Sequence, residues 1–352
     1  MQKRKAIGGE FELSTLALGS TKKLKNLTRG YKGTWTASGR SALSSILKHL
    51  QNTGINHVHL PAYLCESILL AVKALGLQYS FYHVDSDLAA HPDPPPNSAV
   101  LLIHYFGWLN PATTRLRAEA GRSFHLIEDA SQALLSDWTA SAGVSRFVIL
   151  SPRKFGSVPM GGWCNISVDL DRPAIQTEKL MWQSLAARLT RATYMRKSDE
   201  RIEPSVEKLY MDAFKEVEEF LDNNPCEASV PKIALALIAG LDWDGIAQCR
   251  RANWSKLNEL LSGIVEPLTN VLPDDVTPLG YVVHLNNRDE MRRKFREHRI
   301  FCPVHWPLPD EVNPQRFLDA ASLAKSILTF PIDQRYGQAD MLRIANVVKA
   351  LL

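Results

Sequence analysis

Short apolar runs alternate with helical patterns along the first half of the chain. Runs rich in β-branched and aromatic residues predict strands at residues 57–60, 79–84, 99–103, 124–128, 146–151 and 163–168. Between them, apolar residues three and four positions apart predict helices at residues 40–53, 65–75 and 111–120. Repeated strand and helix units of this size indicate an α/β fold with a mainly parallel sheet between layers of helices.

The second half of the chain changes to a longer helical period. Helices are predicted at residues 177–196, 204–221 and 231–261, and Gly240 and the turn at residues 242–245 are expected to divide or bend the last of them. The tail predicts, in order, a strand (280–285), a charged helix (289–298), a strand (300–305) and a final helix after Pro331. We therefore expect an N-terminal segment (1–29), a large domain (30–245) and a smaller α+β domain (246–352).

Composition and charge exclude several classes of protein. With 352 residues, of which 45% are hydrophobic and 22% charged, the chain is an ordinary globular one. Its apolar runs fall short of the roughly 20 residues of a membrane span, and its basic start lacks the apolar core of a secretory signal. The net charge of +4 and the scattered cysteines indicate neither nucleic-acid binding nor a thiolate metal site. We expect a cytoplasmic enzyme without a metal.

Two charged residues at the ends of apolar runs are the first candidates for chemistry. Asp129 follows the run that starts at Phe124, and Lys154, 25 positions later, follows the run that starts at Phe147. In parallel sheets, ligands bind beyond the carboxyl ends of the strands. A carboxylate can keep a pyridinium ring protonated, and a lysine in an apolar pocket can form a Schiff base. The pair predicts a pyridoxal phosphate site, while a helix N-cap for Asp129 and a solvated Lys154 stay open.

A third candidate is the start of the first predicted helix. Ser38, Gly39, Arg40 and Ser41 offer backbone N–H groups, hydroxyls and the positive end of a helix dipole. These groups suit a phosphate, although simple capping of the helix would use the same residues.

A family resemblance joins these candidates. The segments SGRSAL, LPAYLCES, HYFGW and IEDASQA, followed by a lysine and a pair of glycines, resemble the DegT/DnrJ/EryC1/StrS family of pyridoxal-phosphate-dependent sugar aminotransferases. The similarity extends from residue 7 to residue 332. It implies the type I PLP-transferase fold, pyridoxal 5′-phosphate as cofactor and a homodimer with shared active sites. The implied reaction moves an amino group from an amino acid, usually glutamate, to a keto sugar carried on a nucleotide, in a pathway such as polysaccharide biosynthesis.

The resemblance also implies roles for single residues. Lys154 would form the Schiff base and transfer the proton, Asp129 would partner the ring nitrogen, and Gln132 would lie near the ring hydroxyl. Phosphate contacts are implied for the residues that open the first helix, Gly39, Arg40 and Ser41. His104 is expected either to line the cofactor pocket or to make a structural hydrogen bond. His305 lies in a stretch that matches the substrate side of the family's site.

Several positions depart from the family pattern. Cys65 stands where an aromatic residue usually stacks on the cofactor ring, so Tyr63 or Tyr105 is a candidate for that face and Tyr63 for a substrate contact. Ile149 stands where the family often has a phosphate-binding serine, which leaves Ser151 as the nearest hydroxyl.

Three other functions stay open. Ser151 and Lys154 fit the S-x-x-K signature of serine acyl transfer, but neither S-D-N nor K-T-G occurs in the chain. Residues 222–229 lack the Asn-x-Arg segment that the partner subunit normally contributes to the phosphate site in this family. A second alternative is therefore a degenerate aminotransferase fold that binds cofactor or sugar nucleotide without turnover. A sugar dehydratase is the third, but in this family dehydratases typically have histidine in place of the lysine. Lys154 therefore favours transamination.

Overall fold

The computed structural model describes residues 6–13, 24–138, 146–170, 175–196 and 204–352. Its strands are β1 (Ile7–Gly8), β2 (Thr34–Thr36), β3 (His57–Pro61), β4 (Gln78–Val84), β5 (Ala90–His91), β6 (Ser98–Ile103), β7 (Phe124–Asp129), β8 (Arg146–Leu150), β9 (Gly162–Cys164), β10 (Glu266–Pro267), β11 (Tyr281–His284), β12 (Ile300–Phe301) and β13 (Ile327–Phe330). Its helices are α1 (Leu24–Leu27), α2 (Gly39–Asn52), α3 (Glu66–Ala74), α4 (Thr113–Glu119), α5 (Ile175–Arg196), α6 (Pro204–Asn223), α7 (Lys232–Gly240), α8 (Trp243–Leu261), α9 (Arg288–Glu297), α10 (Leu318–Ser326) and α11 (Gln338–Leu351).

A large sheet organises the N-terminal half of the chain. Within the described residues it has eight strands in the order β2-β9-β8-β7-β6-β3-β4-β5. The five strands from β8 to β4 in this order are parallel, and β2, β9 and β5 run antiparallel to their neighbours. β6 is buried along its whole length, as expected of a central strand covered on both faces. The predicted α/β fold with a mainly parallel sheet is confirmed.

Helix α2 covers one face of this sheet and begins at the site described below. Its buried stripe includes Leu43, Ile46, Leu47 and Leu50, spaced three and four positions apart, which pack into the core with the central strands. The hydroxyl of Ser38 caps the helix by accepting the N–H of Ser41 at 3.1 Å. This cap fixes the direction in which the first turn of α2 faces the ends of the strands.

The C-terminal part has its own antiparallel sheet, β10-β11-β13. This sheet packs with α8, α9 and α11 around a core that includes Trp254, Phe295, Phe330 and Ile344. Strand β1 pairs in parallel with β12, which buries Ile7 completely in the same core. The described N-terminal residues thus pack on the C-terminal part, while the proposed domain boundaries after residues 29 and 245 stay predictions.

Most predicted elements lie within a few residues of the observed ones, and the differences have local causes. The stretch 231–261 is divided at Gly240, as expected. The strand predicted at 163–168 ends at Cys164. The side-chain oxygen of Asn165 accepts a hydrogen bond from the N–H of Val148 at 2.7 Å, in place of a backbone carbonyl of the strand. The strand predicted at 300–305 ends at Phe301, shortly before Pro303, which has no N–H for a ladder. None of the described helices is long and apolar enough to cross a membrane.

Candidate active site

A cavity of about 600 Å³ opens where the parallel strands end. The last residues of β6 and β7, Ile103 and Asp129, line it together with Ile149 near the end of β8. Gln132 and Lys154, from the loops that follow β7 and β8, line it as well. This is the edge of the sheet at which the sequence predicts a ligand.

Asp129 makes the hydrogen bond that a capping aspartate would make. Its Oδ1 accepts the N–H of Ser131 at 2.9 Å, and the residue is half-buried. The bond uses one of the two carboxylate oxygens. Local capping and contact with a ligand are therefore compatible roles for this side chain.

Lys154 ends a single 3₁₀ turn, Pro152–Lys154, that follows Ser151. Its Nζ lies 5.7 Å from the centroid of the Trp306 ring. Pro152 is the first residue of this turn and Ser151 precedes it, a placement that also permits the S-x-x-K alternative. The turn alone is thus compatible with either chemistry, and the other residues of the cavity must distinguish them.

His305 is the neutral neighbour of Lys154. Its Nδ1 lies 3.0 Å from Thr329 Oγ1, and the residue lines the cavity. Burial, and then the positive charge of Lys154, lower the pKa of His305 to about 3. At neutral pH this imidazole is uncharged and available as a hydrogen-bonding group.

Gln132 has one satisfied and one unsatisfied end. Its Oε1 accepts the N–H of Phe106 at 2.8 Å, which fixes the orientation of the amide. Its Nε2 is buried and has no hydrogen-bond partner among the described residues. Buried amide groups are rarely left unpaired, so this cavity-lining donor indicates an acceptor on a ligand.

The start of α2 meets two serine hydroxyls. A Cβ atom added to Gly39 would lie 3.5 Å from Ser151 Cβ and 3.6 Å from Ser131 Oγ. Glycine at this position leaves a small space between the helix N-terminus, Ser131 and Ser151, all of which line the cavity. The space suits a small anion that uses backbone N–H groups and hydroxyls.

Arg40, the second residue of α2, is bound to helix α6. Its Nη2 lies 3.2 Å from Glu218 Oε2 and 2.7 Å from Asp222 Oδ1. Glu218 also accepts a hydrogen bond from Arg153, the residue before Lys154. Although partial burial opposes it, the charges of Arg153 and Arg40 lower the pKa of Glu218 to about 2. Glu218 is therefore ionised between two guanidinium groups.

Four predicted residues do not line the cavity: Ser41, Tyr63, His104 and Tyr105. His104 is fully buried, with Nε2 2.9 Å from Glu128 Oε2 and Nδ1 accepting the N–H of Asn110 at 3.2 Å. Of its two expected roles, the structure favours the structural hydrogen bond. Tyr63 is also buried, 5.7 Å between ring centroids from Trp306, and it is Trp306 that lines the cavity. The ligand contact expected of Tyr63 stays a prediction, and the structure places the neighbouring Trp306 on the cavity wall.

Cys65 does line the cavity. It precedes α3, and its Sγ lies 3.1 Å from Ser67 Oγ, which lines the cavity too. Position 65 therefore contributes a small polar wall where the family pattern has an aromatic ring. The described residues contain no group of three or more His, Cys, Asp or Glu side chains that could hold a metal ion.

Known proteins resemble this chain in their structure. No family model matches the chain, and no curated protein matches it. Solved structures match along nearly its whole length. DesV from S. venezuelae has a TM-score of 0.66 at 18% identity, covering 95% of this chain and 90% of that one. A DegT DnrJ EryC1 StrS aminotransferase from Brucella abortus has a TM-score of 0.63 at 16% identity, covering 96% and 91%.

A third neighbour was solved with its cofactor. The putative sugar aminotransferase Spr1654 from Streptococcus pneumoniae, in its PLP form, has a TM-score of 0.67 at 14% identity, covering 98% of this chain and 94% of that one. This chain has the type I PLP-transferase fold. The neighbours are proteins of the kind that the sequence motifs resemble. At sequence identities this low, the structural likeness establishes the fold of the chain alone. The chemistry of the chain follows from its own residues.

The sequence did not predict several residues of the cavity, among them Ser131, Trp306 and Glu218. Ser131 had a signal, since it lies two positions after Asp129 inside IEDASQA. Trp306 had a weaker sequence signal, which is its position directly after the candidate residue His305. Glu218 had none, because an acidic residue on a helical stretch 64 positions after Lys154 is ordinarily a solvated charge.

Proposed function

We propose that the protein is a PLP-dependent aminotransferase that moves an amino group from an amino acid, glutamate first, to a keto sugar carried on a nucleotide. The observation that carries the proposal is the meeting of Asp129, Gln132 and Lys154 in one cavity at the ends of parallel strands. Serine acyl transfer gives Asp129 and the unpaired amide of Gln132 no role. A cofactor with a ring nitrogen and a ring hydroxyl gives a role to both.

The residues of the cavity fit pyridoxal phosphate. Lys154 would bond to its aldehyde, Asp129 would face its ring nitrogen, and the unpartnered Nε2 of Gln132 would donate to its ring hydroxyl. The space beside Gly39 and Ser151 would hold its phosphate. Bound there, the cofactor supplies an electron sink for the negative charge that forms when an amino acid loses its α-proton.

The protein's own side chains have separate tasks in this reaction. Once the donor's amine has replaced Lys154 on the cofactor's aldehyde carbon, the freed Nζ would take the α-proton of the donor and pass it on, as a general base and acid. The N–H of Ser131 donates to one carboxylate oxygen of Asp129 at 2.9 Å, and this hydrogen bond would hold the carboxylate in its orientation toward the ring nitrogen. Trp306 places an aromatic ring 5.7 Å from Lys154 Nζ, on the same wall of the cavity.

The charge of the cavity supports anionic substrates. Among the described residues, eight cationic side chains and four carboxylates line it. Arg250 is buried, donates to the carbonyl of Leu279 at 2.8 Å and forms no ion pair with any described carboxylate. Burial lowers its pKa to about 10, so it is still charged at neutral pH. A cavity with this surplus attracts glutamate and the diphosphate of a nucleotide-linked sugar.

A homodimer with shared sites and a cytoplasmic location belong to the same proposal. Trp182 of α5 and Leu209 and Met211 of α6 are each more than half exposed, which supports a subunit interface on these helices. Light scattering on the full chain tests the dimer, with Leu209→Glu as the variant expected to dissociate it.

Transfer of the amino group tests the function directly. The purified protein, loaded with pyridoxal phosphate, is mixed with glutamate in the absence of an acceptor, and the 2-oxoglutarate formed is measured. One equivalent per site is expected from an aminotransferase. A cofactor-binding protein without turnover forms none, and that result rejects the proposal. A panel of nucleotide-linked keto sugars then identifies the acceptor by regeneration of the pyridoxal form.

A further inference from the structure

Two guanidinium groups line the cavity that contains the space proposed for the cofactor's phosphate, and this inference rests on the function proposed above. Arg40 follows Gly39 in the first turn of α2, and Arg153 immediately precedes Lys154. Both line the cavity and both are largely buried, with 17% and 16% of their side-chain surface exposed. Ile149 takes away a hydroxyl that the family often places at this site. The guanidinium groups of Arg40 and Arg153 could replace the contact that this hydroxyl makes.

Both guanidinium groups are occupied by one side chain of α6. Glu218 Oε2 accepts from Nη1 and Nη2 of Arg40 at 3.3 and 3.2 Å, and Glu218 Oε1 accepts from Arg153. Asp222, one helical turn later, adds a contact of 2.7 Å to Arg40. Glu218 itself lines the cavity. The carboxylate therefore lies between the two cations at the edge of the site.

A carboxylate and a phosphate bind guanidinium groups in the same bidentate way. A phosphate dianion placed beside an ionised Glu218 would meet a like charge, which opposes its binding. Once Glu218 withdraws, the same phosphate meets two guanidinium groups and the N-terminus of α2. The two anions are thus competitors for one pair of cations.

We propose that Glu218 holds the place of the cofactor's phosphate in the empty protein, and that loading transfers Arg40 and Arg153 from Glu218 to the phosphate. Glu218 is then a specificity-determining residue. It lowers affinity for the phosphorylated cofactor, and it couples loading to a displacement of its side chain on α6.

The test uses a ligand that cannot react with Lys154. Binding of 4′-deoxypyridoxine 5′-phosphate, which lacks the aldehyde, is measured by calorimetry on the full chain, beside 4′-deoxypyridoxine without the phosphate. Glu218→Gln is expected to bind the phosphorylated compound at least about tenfold more tightly than the wild type, with no change for the other compound. The matched control is Glu219→Gln, which removes the same charge from an exposed position of α6 and should change neither affinity.

An unchanged affinity of Glu218→Gln for the phosphorylated compound would overturn the proposal. If Glu218→Gln binds the phosphorylated compound no better than the wild type, Glu218 merely positions the two arginines and the proposal is wrong. Should that variant fail to fold, Asp222→Asn decides, since it frees Arg40 alone and is expected to give a gain of about threefold, whereas no gain rejects the proposal. Because no bond to Lys154 is involved, these outcomes are independent of whether the protein is a transaminase.

Discussion

Asp129 and Lys154 leave the same edge of the central sheet on neighbouring parallel strands. Asp129, the last residue of β7, is the register partner of Ile149 in β8, and Lys154 follows Ile149 by five positions. The parallel pairing of β7 and β8 therefore brings together two side chains that are 25 positions apart in the sequence. A carboxylate and an amine at one edge of a sheet is what the proposed cofactor requires of the fold.

Replacing Asp129 by asparagine should slow the reaction and leave the site intact. The amide oxygen of Asn can still accept the N–H of Ser131, so the local turn is kept, but the charge that holds the ring nitrogen protonated is lost. We expect the first half-reaction with glutamate to slow by about 100-fold or more. Stopped-flow absorption at saturating glutamate measures this rate. An unchanged rate would assign Asp129 to capping alone.

Replacing Gly39 by alanine should weaken phosphate recognition without weakening the fold. The added methyl group makes ordinary contacts, 3.5 Å from Ser151 Cβ and 3.6 Å from Ser131 Oγ, so it fits in the empty protein but fills the space for the phosphate. Affinity for pyridoxal phosphate should fall by about tenfold, and affinity for pyridoxal should not change. Equal losses for both ligands would place the phosphate elsewhere.

Glu128 is predicted to stabilise the fold with no part in the chemistry. It is buried and accepts hydrogen bonds from His104, Arg117 and Arg146. Glu128→Gln removes the buried carboxylate charge that His104, Arg117 and Arg146 share, which should lower the free energy of unfolding by about 3–5 kcal/mol. Denaturant titration measures the loss. The control is Glu119→Gln, whose exposed pair with Arg115 should contribute less than about 1 kcal/mol.

The same residue predicts how stability depends on pH. Burial opposes ionisation of Glu128, but its hydrogen bonds with His104 and Arg117 outweigh burial and lower its pKa in the folded state below the ordinary 4.5. A lowered folded-state pKa means that the stabilisation is present above pH 4.5 and is lost as the pH falls below it. Denaturant titrations at pH 5 and at pH 3 should show a smaller loss for Glu128→Gln than for the wild type. Equal losses would contradict the assignment.

Local pattern predicted the elements, but it did not predict the contacts between distant ones. The sheet and the positions of Asp129, Gln132 and Lys154 follow from strand periodicity and from where parallel strands end. The contact of Glu218 with Arg40 depends on where α6 lies relative to the start of α2, and no sequence period records that position. The sequence makes Tyr63 a candidate for a ligand contact, but no local pattern shows that Trp306, 243 positions later, lies 5.7 Å from it between ring centroids.

The most direct test of the account is covalent attachment of pyridoxal phosphate to Lys154. Wild type, Lys154→Ala and a control with an exposed lysine replaced, Lys208→Ala, are incubated with the cofactor, reduced with borohydride and digested for mass spectrometry. The account predicts a phosphopyridoxyl group on the peptide that contains Lys154 in the wild type and the control, with a visible absorption band that Lys154→Ala lacks. A band of equal strength in Lys154→Ala, or no modification of Lys154 in the wild type, would contradict it.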